Sequence, residues 1–244
     1  MRLALQLASI STMLALPTLR HPLWHITISV IPTSFFFVFW LIGGINLGRH
    51  ALLGSLVALA INAGIVSLPQ LIVGLKHRHL QDMFVASPVG PVVYALGTAL
   101  SRLFYISPLI IIALIILTLG DFVPIQSLPM IALTLVMTWL VGSLIGFTAA
   151  TYINNIIYVS GVSNLLGLLL NLIPPVYYPL SLIPHNFQWL ALLIPTTHAA
   201  QLIRAYAGAV ELRAGDLIFS WSAIVIYGII CALLVVFRGR WRET

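Results

Sequence analysis

The chain reads as long apolar runs separated by short polar or proline-marked breaks. A helix needs about 20 mostly apolar residues to cross a bilayer. Six runs meet or approach that length: Leu23–Gly43, Ala51–Leu75, Leu103–Gly120, Leu128–Tyr152, Ile156–Ile173 and Leu217–Phe237. The ten-residue alternating segments that build membrane barrels do not occur. The pattern predicts an all-α integral membrane protein of six transmembrane helices, forming a single domain over residues 1–244. Ahead of the first run, Leu3, Leu7, Ile10 and Leu14 share one helical face, and Arg2, Gln6 and Ser9 lie on another. This predicts an amphipathic helix over residues 1–20 lying in the membrane interface. Gln6, Ser9, Ser11 and Thr12 interrupt the apolar stretch and no Ala-x-Ala pattern comes after it, which argues against a cleaved signal peptide.

Two connections are longer than turns. Residues 76–102 begin with the basic run Lys76-His77-Arg78-His79 and contain Ser87-Pro88. Serine before proline is a helix-start pair, with serine as N-cap and proline at the first helical position. The expectation is a helical hairpin: a short helix, a sharp turn at Ala86–Ser87, and a helix continuing into the third span. In residues 174–209, Pro174-Pro175 stops the fifth span, Pro179, Pro184 and Pro195 punctuate the rest of the segment, and Thr196-Thr197-His198 opens an amphipathic helix through Ala207. Its apolar piece Trp189–Leu193 is too short to cross, which predicts a re-entrant or interfacial element.

Composition agrees with lipid as the solvent. Apolar residues make up 61% of the chain and charged residues 7%, against about 25% charged in soluble domains. The net charge of +6 comes from cations at the ends of apolar runs, which fits headgroups and membrane orientation rather than nucleic acid. With the N-terminus in the cytoplasm, eight cations fall inside (Arg2, Arg20, Lys76, Arg78, Arg102, Arg238, Arg240, Arg242) and three outside (Arg49, Arg204, Arg213). The positive-inside bias therefore puts both termini and the 76–102 connection in the cytoplasm of a multi-pass plasma-membrane protein.

Candidate chemistry is sparse. The one lysine, Lys76, lies in no Gly-x-x-x-x-Gly-Lys-Ser/Thr phosphate loop, so ATP-driven work requires a partner chain. Ser160, Asn164, Gly167 and Asn171 succeed one another at spacings that place them on one face of the fifth span. Ser55 and Asn62 offer a similar face in the second. Polar groups in lipid turn inward, so Ser55, Asn62, Ser160, Asn164 and Asn171 either line a substrate path or bond the helices to one another. Gly142, Gly146 and Ala150 form a small-residue ridge for close helix packing. The pairs His21/His25 and His77/His79 have no carboxylate or thiolate to complete a metal site, so no metal, cofactor or catalytic residue is assigned. Two other function classes compete: an ATP-independent channel or carrier, and an intramembrane serine protease built on Ser160 and His198. The protease lacks the first glycine of Gly-x-Ser-Gly in Tyr158-Val159-Ser160-Gly161 and needs residues at opposite ends of the membrane. The carrier usually holds intramembrane acids.

Three stretches together carry a family resemblance: Leu19-Arg20-His21-Pro22-Leu23 before the first span, Asp82-Met83-Phe84-Val85-Ala86-Ser87-Pro88-Val89 in the hairpin, and Tyr178-Pro179-Leu180-Ser181-Leu182-Ile183-Pro184 with Leu193-Ile194-Pro195-Thr196-Thr197-His198-Ala199 outside. In this order the chain resembles the permease subunit of type-2 ABC transporters, the exporter class. The resemblance implies a dimeric membrane domain, homodimer or paired with a related permease, joined to cassette-type ATPase subunits. It also implies that the hairpin, with Asp82, Phe84, Ser87 and Pro88, couples to the ATPase. The hairpin departs from the family pattern in its basic first half, where Asp82 is the only acid.

Overall fold

The computed structural model describes residues 2–20, 22–87 and 89–238. It is all-helical, 86% helix, with no strand among the described residues. The elements are α1 (Arg2–Leu19), α2 (Pro22–Asn62), a π-helical turn (Ala63–Ser67), α3 (Leu68–His77), α4 (Leu80–Ala86), α5 (Pro91–Leu119), α6 (Leu128–Tyr152), α7 (Ile156–Leu172), α8 (Gln188–Leu192), α9 (Pro195–Tyr206) and α10 (Ala214–Arg238).

Four helical stretches among the described residues are long and apolar enough to cross a membrane: Thr33–His77, Pro91–Leu119, Ile125–Tyr152 and Ala214–Phe237; Leu3–Leu19 and Ile156–Leu172 are shorter apolar helices. Two features separate this from the six expected runs. The first two runs share the single long stretch through α2, and α7 stops at 17 residues, about 26 Å of helix, because Pro174-Pro175 comes directly after it.

The long stretch is not straight. Gly43 (φ −133°, ψ 19°) and Gly44 (φ 65°, ψ −162°) leave helical geometry, and the second lies in a region open essentially to glycine alone. Beyond them the chain returns on itself: a Cβ on Gly48 would lie 3.0 Å from the Phe36 ring and 3.3 Å from Trp40 Cβ. In a straight helix residues 36 and 48 would stand about 18 Å apart along the axis. α2 is thus a helical hairpin whose arms match the first run and the start of the second.

The core forms where the second arm, the π-helical turn and α3 lie along α6. A Cβ on Gly142 would lie 2.7 Å from the Ile61 carbonyl oxygen, and Cβ atoms on Gly146 and Gly64 would strike the Gly64 carbonyl and the Gly142–Ser143 backbone. The small ridge is therefore backbone-on-backbone packing, as its spacing predicts. Pro69, in the first turn of α3, has no N–H to donate, and the π-helical turn before it takes up the break in the helical ladder.

α1 packs along the first half of α5. Ile10, Ser11 and Ala15 are buried there, and a Cβ on Gly97 would lie 2.8 Å from Ile10. Arg102 Nη2 donates to the Leu14 carbonyl (3.1 Å). Of the expected apolar face of α1, Ile10 is buried against protein, Leu7 and Leu14 are half-buried and Leu3 is exposed; Leu5, Met13 and Leu16, outside that face, are exposed too.

Candidate functional site

The hairpin begins where α3 ends. His79 takes a left-handed conformation (φ 56°) that turns the chain into α4, and its ring lies 3.3 Å from Asp82. Phe84 does not project outward: its ring packs on Tyr94 of α5, centroids 5.5 Å apart. Asp82 and Met83 are exposed. The helix start differs from expectation by three residues. Ser87 Oγ donates back to the Phe84 carbonyl (2.7 Å), closing the C-terminal end of α4, and α5 starts at Pro91 with Gly90 as N-cap. Proline fits the first helical position in either place, but serine here satisfies an orphan carbonyl of the helix behind it rather than amides of the one ahead. Pro88 lies outside the described residues. From Pro91 the hairpin's second arm and the third run form one uninterrupted helix.

The polar residues of α7 separate. Its buried side is Val159, Ser163, Gly167 and Asn171. Asn171 Nδ2 donates to Asn62 Oδ1 (2.9 Å) and to the Gly167 carbonyl (2.6 Å). This bond joins α7 to the last residue of α2, beside the π-helical turn. Asn164 is exposed on the outer side of α7, and Ser160, half-buried, donates to the Ile156 carbonyl of its own helix (2.9 Å). Ser55 sits apart from both. It donates to the Leu52 carbonyl (2.6 Å) and lines a lateral cavity of about 200 Å³ between the arms of α2 and α5, with Thr33, Phe36, Ile112 and Ile116. The structure therefore brings Asn62 and Asn171 together and leaves Ser55, Ser160 and Asn164 at separate places.

Ser160 and His198 do not form a dyad. His198 Nε2–H donates to the Leu192 carbonyl (2.8 Å), and Nδ1 faces the Ser220 hydroxyl at 3.5 Å. The Pro-Thr-Thr-His stretch has a structural task instead. Thr196 donates to the Leu170 carbonyl (2.6 Å), one of the orphan carbonyls ending α7, and Thr197 to that of Ala191 (2.5 Å) at the end of α8.

Two arginines that the sequence marks only as external cations matter here. Arg204, 1% exposed, donates to the Pro175 carbonyl (2.9 Å) and to that of Val176. It thereby holds α9 to the proline-rich turn after α7. Arg49 Nη2 donates to the Phe122 carbonyl (2.7 Å) and the Ala207 carbonyl (2.5 Å), joining the return arm of α2, the turn after α5 and the end of α9. Neither has a carboxylate partner among the described residues, where the one such close approach is His79 to Asp82. The signal for both is an arginine in apolar sequence with no acid within a helical turn.

A family model, ABC-2 type transporter, matches residues 10–207, which takes in the α2 hairpin, the α3–α5 connection, α7 and the Thr-Thr-His helix. Comparison with curated proteins finds no match.

Proposed function

The chain belongs to the ABC-2 type transporter family and is a membrane subunit of an ABC transporter; we propose that it exports a substrate across the plasma membrane using ATP hydrolysed by a separate cassette-type ATPase subunit. The observation that carries this reading is the connection from α3 to α5. A membrane domain driven by an outside motor needs a stiff projection, and α4 serves as one in this reading. It is fixed by Phe84 against Tyr94 and closed by Ser87, and it offers the exposed Asp82 and Met83. Six crossings fit the elements: the two arms of α2 (the second running into α3), then α5, α6, α7 and α10. Both termini and the 76–102 hairpin then face the cytoplasm, as the eight-to-three cation bias favours. The Pro174–Ala209 segment lies at the external side as a re-entrant element, with α1 in the cytoplasmic interface.

Two copies, or this chain and a related permease, pair in this reading. Asn164 supports it: an amide exposed on an apolar helix is costly against lipid and inexpensive against a partner or a polar path. Ser55, Ser160 and Asn164 remain the residues assigned to the path, and the Asn62–Asn171 pair bonds the bundle. The test is co-reconstitution with a cassette-type ATPase partner, and then replacement of Ser87-Pro88 with Gly-Gly to loosen the turn. Retained hydrolysis with lost transport supports the reading; normal transport in that variant contradicts it.

A further inference from the structure

The sole lysine of the chain stands at the junction between the hairpin and the path helix. Lys76 is in the last turn of α3, directly before the hairpin turn. Its Nζ donates to the Ala150 carbonyl (3.0 Å) and to Asn154 Oδ1 (3.2 Å). The Ala150 carbonyl is among the last of α6, where no further turn of helix supplies an amide, and a lysine ammonium is a favourable partner for such an end. The next residue, Asn155, N-caps α7, its Oδ1 accepting from the amides of Ile157 (2.8 Å) and Tyr158 (3.3 Å). Apolar surface lies beside this polar link: Gly74 faces Ile156, whose Cδ1 would stand 3.7 Å from a Cβ built at that glycine.

We propose that Lys76 is a positioning residue for transport, fastening the base of the hairpin to the α6–α7 turn so that displacement of the hairpin is passed to the start of α7. The inference rests on the coupling role proposed for the hairpin. Short connections on both sides make the link direct. Lys76 precedes the αL turn at His79 by three residues, and Asn154 precedes the α7 cap by one. Without the ammonium the apolar packing of α3 on α7 remains, and the polar link from α3 to the α6–α7 turn is lost. Arginine at this position retains the charge and a side chain of similar length.

The experiment measures substrate transported per ATP hydrolysed in the reconstituted complex with the ATPase for Lys76→Met, Lys76→Arg and Asn154→Ala, beside the Ser87-Pro88 to Gly-Gly variant. Losing a charged hydrogen bond of this kind corresponds to about a tenfold fall in the ratio for Lys76→Met, with Lys76→Arg within about twofold of the parent. Asn154→Ala, which leaves the Ala150 carbonyl its partner, falls by a smaller factor and serves where Lys76→Met does not assemble. An unchanged ratio in Lys76→Met and Asn154→Ala overturns the role of Lys76, as does a loss in which transport, hydrolysis and assembled yield decline together. In either case the Gly-Gly variant separates the failures: if it still uncouples, the hairpin stands and only the lysine link falls.

Discussion

A guanidinium is costly to bury unless its donors find acceptors, and Arg204 finds two in the carbonyls of Pro175 and Val176. Prolines supply no amide there, so the turn has carbonyls in excess and the arginine answers them. Arg204→Met removes the donors and leaves buried carbonyls unpaired, and it should cost about 3 kcal/mol, read as a lower unfolding midpoint of the purified protein in detergent. The two asparagines of α7 separate in the same way. Asn171→Leu breaks the bond to Asn62 and should cost about 1 kcal/mol, with a double-mutant cycle against Asn62→Leu showing the two losses to be one. Asn164→Leu should leave the midpoint unchanged and lower transport. The difference between these asparagines was not legible in the sequence. Their spacing gives a stripe, but the buried side of α7, from Val159 through Ser163 to Asn171, overlaps the stripe only at Gly167 and Asn171. Periodicity fixes which residues share a face; the seam where that face meets its neighbour depends on partner helices far off in sequence.

At the scale of the elements, apolar run length was a good guide wherever a run ended in a polar break, as for α6 and α10. It failed where punctuation mattered more than hydropathy. The α2 hairpin turns at Gly43-Gly44, where the first run was expected to end, yet the helix resumes immediately, so one long element stands where two runs separated by a loop were expected. The hairpin before α5 shows a subtler miss. Ser87-Pro88 and Gly90-Pro91 both have a residue suited to an N-cap directly before proline, and local chemistry alone does not choose between them. In the fold Phe84 packs on Tyr94 and Ser87 folds back over the end of α4, so the second pair opens α5. The ridge on α6 was legible because glycines at a spacing of four state their purpose directly. Gly146→Ala should drive a methyl into the Gly64 carbonyl and lower stability by about 1–3 kcal/mol. Gly161→Ala, with nothing within 4 Å of its Cβ, should leave the unfolding midpoint of the isolated chain unchanged or slightly higher.

For the molecule as a whole, the contacts sort into two ends. Lys76, the α6–α7 turn, α1 and the hairpin gather at one; Arg49, Arg204, the proline-rich turn and the end of α9 gather at the other. The proposed orientation puts the first end in the cytoplasm. Cysteine at Asn186 should react with an impermeant thiol reagent in intact cells and cysteine at Arg78 should not, the native Cys231 being buried; the opposite labelling would invert the topology. In the proposed complex a separate ATPase engages the end that carries α4. A photo-crosslinking side chain at Met83, 67% exposed on α4, and a control at Ile125, 75% exposed before α6, test this in the complex assembled with the cassette ATPase. The predicted result is a crosslink to the ATPase chain from Met83 and none from Ile125; a crosslink from Ile125, or none from Met83 in an assembled complex, would contradict it.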